Sequence, residues 1–231
     1  MNAIITIHEA SLPFMELAGP IWRKTCDQVL VIANVGCPAT YSWADQVSIW
    51  PRDPSHRGLE HCKRLFHGVE MASKLKGFTA LSEADGLLAH DFNFQEGILY
   101  GSNVQSNLLY RQIIPDPYRE QTLFCPWVTN QEGWISIAAV VRGWLARGWL
   151  PDEGYADRVI SAAAIDCGLS LSSAGFNRWP KVLPEDRQGV SEMLKLRVSP
   201  LIHAIKDAEH LEWITNSLGE KSPEDRGSAT E

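Results

Sequence analysis

The stretch Phe78-Thr79-Ala80-Leu81-Ser82-Glu83-Ala84-Asp85-Gly86 decides how the rest of this chain is read. Its short apolar run, entered at Gly77 and left at Gly86, has the length and boundaries of an interior strand of an α/β sheet. The run stops in two carboxylates one residue apart. Ligands of open α/β sheets bind beyond the carboxyl ends of the strands, so acids delivered there face a cleft. A strand followed by an acidic turn is the plain alternative, and within this stretch the two readings weigh equally. In an extended segment Glu83 and Asp85 point to one side and Ala84 to the other.

Working outward towards the N-terminus, Leu59 to Lys74 carries Leu59, Cys62, Leu65, Phe66, Val69 and Ala72 as an apolar stripe, with Lys63, Arg64 and Lys74 off it. This spacing predicts a helix that packs on the sheet and presents bases near its start. Before it, Gln46 to Trp50 is a short strand ended by Pro51, and Val29 to Val35 is an interior strand stopped at Gly36-Cys37-Pro38. Ala3 to His8 is a β-branched first strand, followed by a helix over Pro13 to Lys24. Continuous apolar strands separated by helices predict a mainly parallel sheet flanked by helices, with the acid pair after the fourth strand.

Towards the C-terminus the pattern is less regular. Ile98 to Tyr100 reads as a strand, and Tyr110 to Trp127, rich in Pro, Tyr and Arg, as a cleft lining. Gln131 to Arg147 is apolar around most of a helical circumference and is expected to be buried. Pro151 to Ala164 starts another helix, Ser170 to Ala174 is a short strand, and helices follow over Arg187 to Val198 and Ala208 to Leu218. The expected organisation is one domain over residues 1–218, with a tail over 219–231 whose lack of large apolar side chains predicts disorder.

Composition narrows the function classes. Twenty-one Lys and Arg against 28 Asp and Glu give a net charge of −7, which argues against a general nucleic-acid binder, since such a protein needs a basic face to displace counterions. Cys26, Cys37, Cys62, Cys125 and Cys167 are odd in number and contain no Cys-x-x-Cys pair, so free thiols are expected rather than a disulfide framework or zinc cage. Ala3 to Ile7 is too short for a secretory leader and the apolar run from Trp134 is cut by Arg142, so the expectation is a soluble, cytoplasmic protein without a transmembrane segment.

Carboxylate oxygens suit Mg²⁺ or Mn²⁺, ions that commonly share their shell with substrate phosphates. Glu83 and Asp85 have that chemistry. His203, inside Leu201-Ile202-His203-Ala204-Ile205-Lys206, is either a further ligand or a hydrogen-bonded structural histidine, and Lys206 a phosphate contact. Asp157 is either a helix-start acid or a general base for a hydroxyl. Arg57, Lys63 and Arg64 either counter a diphosphate or form a solvated helix face. Trp127, Trp134 and Trp179 offer flat surfaces for sugar rings or belong to the core.

Together these pieces resemble a nucleotide-sugar glycosyltransferase of the GT-A type. The resemblance rests on Ala80-Leu81-Ser82-Glu83-Ala84-Asp85, similar to the acidic strand-end motif that holds cation and donor diphosphate; on Tyr155-Ala156-Asp157-Arg158, similar to an acceptor-side segment; and on Ile202-His203-Ala204-Ile205-Lys206, similar to the segment bearing a metal histidine and a phosphate lysine. It implies a GT-A-like (Rossmann-like) domain with a donor-binding part over about 1–100 and an acceptor-binding part over about 101–218. It implies metal ligands Glu83, Asp85 and His203; donor contacts at His8, Glu9, Ala10, Asn34, Arg64, Glu83, Ala84, Asp85 and Lys206; and Asp157 as catalytic base if transfer inverts. The implied partners are a nucleotide-sugar donor, with a uridine diphosphate sugar favoured, and a glycan or other hydroxyl acceptor; the cofactor is Mn²⁺ or Mg²⁺. The chain departs from the motif by Glu83 where Asp is commonest and by Ala204 where Gly is common. A sugar-phosphate nucleotidyltransferase is a second reading, against which His8-Glu9-Ala10-Ser11 is a poor phosphate loop. A non-catalytic carbohydrate-binding protein is a third.

Overall fold

The structure, a computed structural model, describes residues 1–51, 57–102, 104–105, 122–148, 156–177, 200–203 and 208–219. Its frame is β1 (Asn2–Ile7), α1 (Leu12–Thr25), β2 (Gln28–Asn34), β3 (Gln46–Trp50), α2 (Arg57–Ala72) and β4 (Phe78–Glu83). These follow the sequence expectation to within two residues at each end. β1 pairs in parallel with β2 on one side and β4 on the other, and β2 pairs in parallel with β3. The register sets Thr6 against Glu83, Ile7 against Ala33 and Asn34 against Trp50, so the carboxyl ends of these strands form one edge.

The strands are apolar on both faces because both faces are covered. Ile5, Ile7, Val29, Val31 and Ala80 join a core under α1, whereas Ile4, Leu30, Ile32 and Leu81 join a second core under α2 and the later helices. Burial on two sides removes the polar alternation that a half-exposed strand would show.

The later chain completes the sheet. β5 (Leu87–Leu88), β6 (Ile98–Gly101), β7 (Val104–Gln105), β8 (Thr122–Leu123) and β9 (Trp127–Asn130) precede α3 (Gln131–Ala146). They are followed by α4 (Ala156–Asp166), β10 (Ser170–Ser173), β11 (Gly175–Asn177), β12 (Leu201–His203) and α5 (Ala208–Gly219). The seven-stranded sheet runs β10-β6-β9-β4-β1-β2-β3, with β9 antiparallel to both neighbours and the other pairs parallel. A mainly parallel sheet flanked by helices is therefore correct. A small sheet, β11-β12-β5, closes beside it. The expected helix over Arg187 to Val198, most of the Tyr110 to Trp127 stretch and the tail from 220 lie outside the described residues.

Two of the three tryptophans considered for sugar stacking belong to the core. Trp127 and Trp134 are completely buried, and their indole N–H groups donate to the carbonyls of Leu123 at 2.9 Å and Thr79 at 3.0 Å. Rings held in the core cannot stack on sugars, which corrects that reading for both; Trp179 lies outside the described residues. All five cysteines are free thiols. No helix among the described residues is long and apolar enough to cross a membrane.

Candidate functional site

β4 carries Glu83 to the carboxyl edge of the sheet and stops there. The Gly86 N–H donates to the Glu83 carbonyl at 3.1 Å, so Ala84 and Asp85 lie in a tight turn rather than in an extended continuation of the strand. The turn still brings both acids to one side. Ala84 is buried in the core beneath, leaving its backbone as what a ligand can meet. Gly86 is required by crowding: a Cβ there would stand 2.3 Å from Ser82 Oγ and 3.1 Å from the ring of Pro126.

Pro126 belongs to the Tyr110 to Trp127 stretch that the sequence suggested as a cleft lining. The chain enters β9 through a cis Cys125-Pro126 bond, and the Ser102 hydroxyl donates to the Cys125 carbonyl at 2.8 Å. This fixes the fully buried Cys125 thiol under the acid turn, with Sγ 4.0 Å from Glu83 Oε2. One ligand atom from each of Glu83, Asp85 and Cys125 lies within 4.8 Å of the others. Two carboxylates and a thiol so placed fit a divalent cation. The two carboxylate oxygens suit a hard ion and the sulfur a softer one.

A second cluster faces this one from α2. Arg64 was expected off the apolar stripe, yet it is 6% exposed. Its guanidinium reaches across the ends of β1 and β2, donating to Asn34 Oδ1 at 2.7 Å and to the Ile7 carbonyl at 3.3 Å. Fixed acceptors of this kind offset part of the cost of burying a guanidinium. His61, one turn earlier, sits between Arg64 and Glu83: its Nδ1 is 3.2 Å from Arg64 NH2 and its Nε2 is 2.9 Å from Glu83 Oε1. Lys63 points to solvent, and the Arg57 side chain lies outside the described residues.

The first strand ends in the same region. His8, Glu9 and Ala10 are exposed, and a single 3-10 turn over Glu9–Ser11 is fixed by the Ser11 hydroxyl, which donates to the His8 carbonyl at 2.6 Å. Glu9 extends to Gly36, where a Cβ would come within 1.9 Å of Glu9 Oε1 and where φ is +100°, a region that favours glycine. The pKa of His8 is lowered, first by the surrounding protein mass and then by Arg64. Glu83 and Asp85 oppose this, and His61 adds a smaller lowering. His8 is exposed at the rim, so this shift corresponds to no large energy. His8, Asn34, Arg64, Glu83 and Asp85 thus lie near one another at this edge of the sheet, with His61 and Cys125 beside them.

The remaining expected site residues are placed by backbone alone. β12 runs antiparallel to β5, with Leu201 opposite Leu88 and Ile202 opposite Leu87. His203 is the last residue of β12, directly after Ile202, and Leu87 opposite Ile202 follows the Glu83–Gly86 turn in the chain. Asp157 lies in the first turn of α4. One helical turn on, Ser161 Oγ accepts from the Leu123 N–H at 2.9 Å, which ties the start of α4 to the strand leading into Cys125. The side chains of His203 and Asp157, and the whole of Lys206, lie outside the described residues. Cys125 falls in the stretch expected to line the cleft, but a lone thiol 40 residues from the acid pair carries no ligand signal of its own. His61 read as one more polar residue on a helix.

No protein-family model matches this chain, and no curated protein matches it at a significant level. Its shape does match solved structures. The galactosyltransferase LgtC in complex with donor and acceptor sugar analogues is 12% identical over 98% of this chain and 99% of its own, with a TM-score of 0.50. An active-site mutant of LgtC is likewise 12% identical over the same shares, with a TM-score of 0.53. At that identity the likeness is one of architecture, and it covers nearly the whole of both chains: this chain has the GT-A fold of those glycosyltransferases.

Proposed function

We propose that the protein is a metal-dependent glycosyltransferase that moves a sugar from a nucleotide diphosphate sugar, with uridine diphosphate sugars favoured, to a hydroxyl of a glycan or other acceptor. The observation that carries this reading is the grouping of Glu83, Asp85 and Cys125 at the carboxyl edge of a GT-A sheet, opposite the buried Arg64. Residues 1 to about 100 form the donor side, with His8, Glu9, Ala10 and Asn34 around the nucleoside. The chain from about 101 to 218 forms the acceptor side.

Glu83, Asp85 and His203 would hold Mn²⁺ or Mg²⁺, with Cys125 beside them. Such an ion neutralises charge growing on the departing nucleoside diphosphate. Arg64 and Lys206 add fixed positive charge for the same purpose, and a guanidinium already desolvated and oriented costs little to reorganise during transfer. The Ala84 backbone lies between the two acids, where a donor can approach. Asp157 takes the proton from the acceptor hydroxyl if the anomeric centre is inverted, and orients the acceptor if it is retained.

The test is isothermal titration with a panel of nucleotide sugars, with and without Mn²⁺, alongside assays of donor hydrolysis. Mn²⁺-dependent binding of one donor class is expected, and Asp85→Ala should abolish it while leaving the thermal melt unchanged. A chain that binds no nucleotide sugar under either condition would sink the proposal.

A further inference from the structure

None of the roles above uses His61, and the hydrogen bonds it shares with Arg64 and Glu83 run in one direction. Arginine only donates, so the contact between Arg64 NH2 and His61 Nδ1 at 3.2 Å requires Nδ1 to accept with its lone pair. The imidazole is then the Nε2–H tautomer, and that N–H donates to Glu83 Oε1 at 2.9 Å. Arg64 is itself held by Asn34 Oδ1 and the Ile7 carbonyl. The chain of bonds Asn34, Arg64, His61, Glu83 therefore fixes the ring from the ends of β2 and β1 and delivers one donor to the acid turn.

We infer that His61 is a positioning residue for the cation site: it occupies Glu83 Oε1 and turns the other oxygen, Oε2, towards Asp85 and Cys125, so that Glu83 offers a cation one oxygen and not two. This rests on the reading that Glu83 and Asp85 hold a divalent cation. Two features of the geometry support it. Oε1 faces α2 while Oε2 faces Cys125 Sγ at 4.0 Å, so the two oxygens have different partners. His61 and Glu83 are each only partly exposed, with side chains 28% and 24% accessible, so their bond is shielded enough to hold an orientation that a fully hydrated pair would lose. Hydrogen bonds that orient a ligating carboxylate are worth about 10–100-fold in metal affinity.

The test is Mn²⁺ titration of the full chain without any sugar nucleotide, read by the electron paramagnetic resonance signal of free Mn²⁺. His61→Leu, which keeps the helix and removes the donor, should weaken Mn²⁺ binding by about 10–100-fold. His61→Gln, whose amide N–H reaches the same oxygen, should recover most of the loss. In a Glu83→Ala background His61→Leu should cost nothing further, an outcome that a merely structural histidine would not produce. Equal Mn²⁺ affinity in wild type and His61→Leu, a His61→Gln no better than His61→Leu, or no Mn²⁺ uptake by the wild type would each overturn the inference. The two proposals fail separately. A chain that binds Mn²⁺ in this His61-dependent way but no sugar nucleotide loses the transferase reading alone, and one that binds sugar nucleotide with Mn²⁺ but is indifferent to His61 loses only this one.

Discussion

Replacing Gly175 with alanine probes whether the small sheet is what holds the His203 strand beside the acid turn. A methyl group at position 175 would stand 1.7 Å from the Leu201 carbonyl oxygen, and 2.6 and 2.9 Å from the Leu201 carbonyl carbon and Cα. Real contacts of this kind essentially never fall below 3.0 Å, so β12 must retreat from β11 by about 1.3 Å. All three obstructing atoms are main chain, so no rotamer change relieves the clash. The retreat would stretch the bond from the Leu201 N–H to the Ala174 carbonyl, already 3.2 Å, beyond useful length, and loosen the pairing of Leu201 and Ile202 with β5. Overpacking of this kind costs about 1–3 kcal/mol. For a chain of this size that is a fall in melting temperature of about 2–12 °C. Calorimetric melting checks the stability, and Mn²⁺ titration checks whether the site weakens with it. Gly143→Ala is the control: that glycine is exposed within α3 with nothing near its Cβ position, and alanine there should gain about 0.5–1 kcal/mol. A Gly175→Ala protein that melts with the wild type and keeps its Mn²⁺ affinity would refute the argument that this glycine sets the approach of β12.

Two further outcomes follow from the packing and the cleft field. The His8 imidazole should titrate by NMR below the ordinary 6.5, because burial and then Arg64 disfavour its cation, and Arg64→Met should move the midpoint upward. The folded chain then binds fewer protons at this site than the unfolded chain, so the stability it contributes is present above pH 6.5 and lost as pH falls below that value; a midpoint unmoved by Arg64→Met would contradict the assigned cause. Trp134→Ala should cost about 3–5 kcal/mol in urea unfolding, as removal of a fully buried indole does, and should leave ligand affinity of the folded fraction unchanged. Loss of sugar-nucleotide binding without loss of stability would restore the indole as a ligand platform.

By itself the sequence determined the frame. β1, β2 and β4 were legible because strands buried on both faces are continuously apolar, and α2 because its stripe repeats at helical spacing. Glu83 and Asp85 were legible as acids at the carboxyl edge because such a strand delivers whatever follows it there. Tertiary structure alone decided what meets them there. Cys125 reaches the acid turn because β9 inserts antiparallel between β4 and β6, a pairing about 45 residues distant in sequence. β12, which ends at His203, pairs with β5 through a small sheet whose strands span two or three residues, too short for any periodic pattern. The sequence left Arg64 between a diphosphate contact and a solvated face for a related reason: helical spacing reports only which face packs on the sheet. A long side chain can fold back over the strand ends, and its burial depends on acceptors that Asn34 and Ile7 supply from other strands. Local pattern records how each element is covered, whereas the chemistry at the cleft depends on contacts between elements, which no single segment encodes.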